Sequence, residues 1–498
     1  MRAAVIDLGS NSFRMLVASV AGNGHITPVL REREMLHLGA VMAREGSIPS
    51  HEADRAVSAA RNLANLADRI GVDATFPVAT SAIRESSNQD EIVARIETAI
   101  GSSVRVLDGL DEARLSYLGA QAAVAVEGPT VVLDLGGGSL EVAAGDGTEM
   151  ARGWSFPLGV SRLHSLCADW PIVGEAEASC LRSRVSEALR GTTEAPGRAV
   201  AIGGPVRAVA EAVVRQAAGW RPPSLNRLDV SRSQVAELTA RLTPLTPEQR
   251  IERFQVKASR AERLATAGII LETALDALDL DGFLMSDWGL REGVLLDAVG
   301  ARLPASGRAL RASATRALLA SLTPGDSHPE HVAGLGRLLG ETLAGKLGLD
   351  SAGLELVEHA LLLHDVGRSV SLQGHHKHST YLVEHADLRG FSPRELAVLL
   401  SLIHCHRGGP PKGSFEPYRS LSPDDQDLTR RLAALVQLAD ALDRARDGSV
   451  ESVEATVGEG LVELGLRGAD PHYNPEEAAD RVGYFEQVFG LRVAVVSR

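Results

Sequence analysis

At 498 residues the chain is too long for one hydrophobic core, so three or four domains are expected. Its 44% apolar and 23% charged content is ordinary for a water-exposed globular protein. A formal net charge of −13 argues against broad, non-specific nucleic-acid binding, yet leaves room for a phosphate-rich ligand wherever a groove is locally basic or metal-neutralised. Cys167, Cys180 and Cys405 lack metal-ligand spacing and cannot all pair, which favours a reducing compartment. The chain opens directly on strand-like residues, without a basic and then apolar leader, and no run of about 18 apolar residues occurs. A cytoplasmic protein with no membrane partner is expected.

The first predicted element is a hairpin around Asp7-Leu-Gly-Ser-Asn-Ser12, and it is repeated 127 residues later as Asp134-Leu-Gly-Gly-Gly-Ser139. Each copy follows an apolar β-branched run and precedes an alternating one, which reads as strand, tight glycine turn, strand. Glycine lets backbone N–H groups face an anion with no Cβ in the way, and the leading carboxylate suits a divalent cation or its water. Between the copies lie a helix at 52–70, a strand at 74–79, a turn at 80–87, a helix at 91–100, a strand at 104–107 and a helix at 111–124. After the second hairpin come a helix at 174–189, a strand at 199–202 running into Gly203-Gly204, a helix from Val206, a small-residue apolar stretch at 267–277 and a strand at 283–286. Residues 302–446 carry a helical period broken by loops at 325–329, 406–411 and 422–425. Strands at 451–456, 460–466 and 491–496 with a helix at 475–489 close the chain. The domains are therefore placed at 1–126, 127–301, 302–447 and 448–498, with an α/β pair holding ligand in its cleft.

Several motifs in order carry a resemblance: Ile6-Asp-Leu-Gly-Ser-Asn-Ser-Phe13, Thr80-Ser-Ala-Ile-Arg-Glu85, Gly109-Leu-Asp-Glu-Ala-Arg114, the second loop with Glu141, Phe156-Pro-Leu-Gly-Val160, Gly203-Gly204, Gly289-Leu-Arg-Glu-Gly293 and His375-His-Lys-His-Ser379. With these the chain resembles the exopolyphosphatase and guanosine pentaphosphate phosphohydrolase family over nearly its whole length. The resemblance implies a duplicated actin-like (ribonuclease-H-like, ASKHA) core, an all-helical HD-type domain and a small α+β C-terminal domain. It also implies a phosphoanhydride hydrolase that releases terminal phosphate from inorganic polyphosphate, or the 5′ γ-phosphate of guanosine pentaphosphate, with Mg²⁺ and commonly as a homodimer. The family's catalytic glutamate falls on Glu112, its other important acids on Asp134 and Glu141, and its phosphate-contacting arginine on Arg84. The chain departs from the family in having Leu140 where Thr is common, and Gly203-Gly204-Pro205 where a Gly-Thr turn is commoner.

Hydrolysis of a phosphoanhydride requires an in-line water and neutralised equatorial oxygens. Glu112 is expected to position or deprotonate that water, with Arg84 and Glu141 completing the catalytic set. Asp7, Asp134 and Glu141 are the metal candidates, and Gly9, Ser10, Asn11, Ser12, Gly136, Gly137, Gly138, Ser139, Gly203 and Gly204 form the phosphate cradle. The structural alternatives are a solvated helix-start acid at Glu112, an arginine partner at Glu141, a helix brace at Arg84 and turn-stabilising hydroxyls in the loops. In the helical region, His331, His364-Asp365 and Asp440 follow the H…HD…D order of metal-dependent HD phosphohydrolases, which this segment also resembles, and mark a possible second divalent site. The alternative there is a vestigial site whose His and Asp bond one another. More than half of the 15 histidines lie between positions 331 and 406. Arg368, His375, His376, Lys377, His378 and Arg407 are the expected lining of a polyphosphate channel whose affinity rises in mild acid, as imidazoles titrate near 6.5. A non-catalytic polyphosphate or nucleotide sensor is the rival of a different class.

Overall fold

A computed structural model describes residues 1–21, 25–167, 172–192, 197–216, 219–468 and 475–497. The chain divides into two compact units, Met1–Ala217 with Leu225–Leu310, and Ala218–Ser224 with Arg311–Arg498.

The first unit is a duplication. Its first sheet contains β1 (Arg2–Leu8), β2 (Ser12–Val20), β3 (Ile26–Met35), β4 (Ala74–Ala79) and β5 (Arg105–Val106), in the order β3-β2-β1-β4-β5. Its second contains β6 (Pro129–Leu135), β7 (Leu140–Asp146), β8 (Glu149–Phe156), β9 (Arg198–Ile202), β10 (Asp229–Ser231) and β11 (Gly282–Met285), in the order β10-β11-β9-β6-β7-β8. Read from the other edge, that is the first sheet again with β10 added. β1 pairs antiparallel with β2 and parallel with β4, as β6 does with β7 and β9. The hairpin registers also coincide, Leu8 opposite Phe13 and Leu135 opposite Leu140. Even the irregularities repeat, between Val17 and Ala18 in one copy and between Ala144 and Gly145 in the other.

The helix Gly109–Val124 is buried almost all round because it serves both sheets. Leu115, Ala122 and Ala123 pack with Ala3, Val5 and Val78, while Ala113, Tyr117 and Ala120 pack with Val132, Ala143 and Val200. Asp108 caps it, accepting from the N–H groups of Leu110 and Asp111 at 2.9 and 2.8 Å. Its partner helix, Leu290–Ala298, crosses at glycine on both sides. A Cβ on Gly119 would stand 2.9 Å from the Gly293 nitrogen and closer still to the Gly289 carbonyl.

Cys167 and Cys180 form a disulfide with Cα atoms 5.9 Å apart, and Cys405 is free and buried. One pair and one free thiol match three cysteines that cannot all pair, while the disulfide does not favour the reducing compartment expected from them. Two of the three sit on neighbouring helices, Val160–Cys167 and Glu175–Ala188, a proximity that spacing alone does not disclose.

The second unit is helical through Pro423–Ala441 and ends in a sheet of β12 (Ser452–Val457), β13 (Leu461–Arg467) and β14 (Arg492–Ser497) with the helix Pro475–Phe489. Val453, Leu464 and Phe485 share one apolar cluster with Leu335, Leu361 and Leu435, so the terminal sheet and the helices have a common core. No described helix is long and apolar enough to cross a membrane.

Because the Gly119–Gly293 contact is backbone against backbone, no side chain can yield to relieve it. Gly119→Ala is expected to cost about 3 kcal/mol in denaturant unfolding. The same substitution at Gly71, whose added Cβ meets nothing within 4 Å but whose φ is +71°, should cost only about 1 kcal/mol.

Candidate active site

The two glycine turns face one another in the first unit. The carbonyls of Gly136, Gly137 and Gly138 accept from the N–H groups of Val160, Ser161 and Gly159, at 3.0, 2.9 and 3.2 Å. In a planar trans peptide the N–H points opposite its C=O, so the N–H groups of Gly137, Gly138 and Ser139 are turned to the other side. A Cβ on Gly138 would strike the hydroxyls of Ser10 and Ser81, which brings the first loop, the second loop and the helix Ser81–Arg84 together. Ser10 Oγ accepts from Ala82 N at 3.1 Å, and Ser12 Oγ from Arg14 Nε at 3.1 Å, so these hydroxyls brace local structure. Asn11 likewise holds the chain that follows β3, its carbonyl accepting from Leu36 and His37 and its Oδ1 lying 2.8 Å from His37 Nδ1. Gly203 has φ +105° and approaches the Leu135 carbonyl, with Asp134 Oδ1 3.2 Å from where a Cβ would be; Gly204 lies against Arg14.

Four carboxyl groups converge here. Glu112, on the first turn of its helix, is buried and accepts from Arg84 Nη1 at 2.6 Å; the same nitrogen donates to the Leu107 carbonyl at 2.9 Å. Ser116, one turn further along, donates to Asp134 Oδ2 at 2.6 Å, so one helix face serves both acids. Glu141 is buried, and its Oε1 accepts from Ser155 Oγ at 2.7 Å rather than from an arginine. Asp7 Oδ1 is sealed from solvent with no hydrogen-bond partner.

Burial dominates their ionisation. It pushes Glu112 up to about 7, although Arg84 opposes it through charge and hydrogen bond and Asp134 and Asp7 add to it. The positive end of the helix favours ionised Glu112 and is outweighed by burial. Burial raises Glu141 well above its ordinary value, with Glu112 and Asp134 repelling its charge. Asp7 and Asp134 are raised for the same first cause, opposed at Asp7 by Arg14 and at Asp134 by the Ser116 hydrogen bond and then Arg14. Acids that cannot easily ionise, one with an unpartnered oxygen, fit a site that takes a hard cation. The structure does not, however, gather Asp7, Asp134 and Glu141 into a set of three ligand atoms within 4.8 Å of one another.

Arg14, Ser116 and Ser155 are absent from the sequence-derived set. The repeat itself points to the first, since Arg14 faces Asp7 across its hairpin as Glu141 faces Asp134. Helical spacing from Glu112 points to Ser116, and nothing in the sequence marks Ser155.

Tight ligand groups do occur among the described residues of the second unit: His328, His364 and Asp365, and Asp365, His375 and His406. Asp440 Oδ1 stands 3.2 Å from His364 Nε2. His331, expected as the first ligand, is outside both groups; His328, one turn earlier on the helix His328–Leu347, takes that place. Arg368 Nε lies 3.7 Å from Asp365 Oδ2. The other expected channel residues crowd one another: burial first, then His404, Arg407, His375 and Lys377, depress His376 to about 4. His404, stacked on Phe415, is also lowered by burial, Lys377 and Lys412. Protonation of His376 in mild acid is thus resisted, contrary to the expectation from free imidazole, and the fixed charge comes from Lys377 and Arg407. His378 is half-buried.

Residues 16–301 match the model of the Ppx/GppA phosphatase family, and residues 311–478 match that of Ppx/GppA phosphatase, domain III. Exopolyphosphatase 1 of Mycobacterium leprae (strain TN) is 30% identical over 303 residues, 59% of this chain and 89% of that protein. An uncharacterized Streptomyces coelicolor protein is 30% identical over 304 residues, 59% of this chain and 90% of its own. The crystal structure of an Aquifex aeolicus Ppx/GppA family member has 27% identity and a TM-score of 0.53, covering 60% of this chain and 97% of that one. An exopolyphosphatase from Cytophaga hutchinsonii shares the fold at 24% identity, with a TM-score of 0.56 over 61% of this chain and 99% of that one.

A carboxyl raised by burial makes its ionisation work against folding. For Glu112 that cost is absent below its ordinary value of 4.5 and fully developed above about 7. Glutamine does not titrate, so the Tm of Glu112→Gln relative to wild type should be higher at about pH 8 than at about pH 5. A constant difference across that range would show that Glu112 ionises normally.

Proposed function

The chain belongs to the Ppx/GppA phosphatase family, and we propose that it acts there as an exopolyphosphatase, hydrolysing the terminal phosphoanhydride of inorganic polyphosphate to orthophosphate. The observation that carries this reading is Glu112: a buried carboxyl pushed up to about 7, clamped by Arg84 in the same unit as the two glycine turns. A base of that strength deprotonates water near neutral pH while remaining a useful proton acceptor.

Glu112 takes a proton from a water lying in line with the terminal phosphorus. The water oxygen bonds to phosphorus as the bridging P–O bond breaks, and the shortened chain departs with the electron pair. The N–H groups of Gly137, Gly138 and Ser139 hold phosphate oxygens, and Arg84 supplies a fork of donors to the terminal group. Arg14, against Gly204 and opposite Asp7, is placed to do the same from the other hairpin. Mg²⁺, when bound, would be held by Asp7, Asp134 and Glu141 and would neutralise phosphate charge there. Ser116 and Ser155 orient two of those acids. In the second unit Arg368, Lys377 and Arg407 are the fixed cations offered to phosphate groups, and His376, held low by burial, adds no charge in mild acid.

The alternative substrate for the same first-unit site is guanosine pentaphosphate, and kcat/KM on the two substrates side by side separates the readings. Wild-type protein with Mg²⁺ should release phosphate from long polyphosphate, and kcat/KM should climb with pH to a plateau above about 7 as Glu112 ionises. Glu112→Gln should lower kcat by about 10²–10⁴-fold and remove that limb. Tight polyphosphate binding without turnover in any divalent metal would instead make the chain a sensor.

A further inference from the structure

The His/Asp cluster of the second unit is not absorbed by this function, and its hydrogen bonding restricts what it can be. Three of its imidazoles are locked in one tautomer. Nδ1 of His364, His375 and His406 lies 2.6, 3.1 and 2.8 Å from the carbonyls of Leu361, Leu372 and Ile403. A carbonyl only accepts, so each Nδ1 carries a proton and, in the neutral ring, each Nε2 presents a bare lone pair. Those lone pairs converge. His375 Nε2 and His406 Nε2 are 3.1 Å apart, and they lie 3.0 and 3.7 Å from Asp365 Oδ1. His364 is fully buried, and its Nε2 faces Asp440 Oδ1 at 3.2 Å, whose charge and hydrogen bond favour a proton on that ring. Acceptors facing acceptors at these distances repel unless a cation stands among them.

The other side of Asp365 already has a cation. The Arg446 guanidinium bonds Asp365 Oδ2 through Nη1 and Asp326 Oδ2 through Nη2, the latter at 2.5 Å. Arg446 adopts φ +60°, a conformation uncommon for a residue with a Cβ. His328, whose Nδ1 contacts Asp443 at 2.7 Å, turns its Nε2 towards the same Oδ2 at 4.0 Å. We propose that Asp365 organises a two-position cation centre. A divalent transition-metal ion takes the position on Oδ1, His375 and His406, while Arg446 occupies the position that His328 and His364 would otherwise offer to a second ion. Imidazole-rich ligands favour ions such as Zn²⁺ or Co²⁺ over Mg²⁺, which distinguishes this centre from an all-carboxylate site.

The test is metal stoichiometry of the full chain, stripped of metal and titrated with Zn²⁺ or Co²⁺ in excess Mg²⁺, read by elemental analysis and by the visible absorption of bound Co²⁺. Wild type should bind one ion. Arg446→Gly, which suits the left-handed backbone and removes the guanidinium, should bind two, and Arg446→Lys, which keeps the charge, should bind one. Asp365→Asn should weaken binding at least about tenfold, with thermal unfolding as the check on folding and His375→Gln in its place should that variant not fold. No ion in wild type would mean that a shared proton, not a metal, reconciles His375 and His406, and would overturn the proposal. Two ions in wild type, one in Arg446→Gly, or undiminished affinity in Asp365→Asn would overturn it equally. None of these results bears on phosphate release by Glu112, so the two readings fail separately.

Discussion

The first unit is organised around a cost: four carboxyl groups are drawn out of water into one region, opposed by the charges of Arg14, Arg84 and Arg291. An isolated buried carboxylate is so unfavourable that proteins raise its pKa instead, and all four acids are raised here. The hydroxyls of Ser116 and Ser155 and the guanidinium of Arg84 relieve only part of the charge. What remains is a deficit of positive charge that a metal ion, or a proton on Glu112, offsets. The surrounding architecture holds the acids in place against their repulsion. Backbone-to-backbone contact at Gly119 and Gly293 fixes the helix carrying Glu112 and Ser116, and the duplicated hairpins fix Asp7 and Asp134.

Duplication supplies the geometry and a single inverted charge supplies the direction. The two hairpins agree in register and even in the place of their irregularity, yet Arg14 stands in one where Glu141 stands in the other. A cleft between identical halves would attract and repel a polyanion equally from both sides. With this exchange one half offers a cation and the other an acid. The second unit meets a related problem with nitrogen: the Nε2 atoms of His364, His375 and His406 converge on one oxygen of Asp365, and Arg446 takes the other.

The hairpins were legible because two signals coincide there, a glycine turn and a strand alternation on each side, repeated at a fixed interval. β3 and β8 left less trace. They are edge strands with charged or partly exposed residues such as Arg31, Glu32 and Arg33 or Ala151 and Arg152, so the period-two pattern fades. The helix Gly109–Val124 was legible as a helix, but its burial between two sheets was not, and with it went the pKa of Glu112. His331 and His328 differ by three residues on one helix; spacing alone does not choose between neighbours on a face, whereas packing does. His375 and His406 arrive from different helices, and their approach is a tertiary fact. The Cys167–Cys180 pair is another.

The account rests on Glu112 remaining a poor acid in the folded protein. Its carboxyl band can be followed by infrared difference spectroscopy as a function of pH, with Glu112→Gln subtracted to assign it. A protonation midpoint near 7 is the result the structure predicts. A midpoint near the ordinary 4.5 would mean that Arg84 overcomes burial, and would contradict the role of Glu112 as a base tuned to neutral pH.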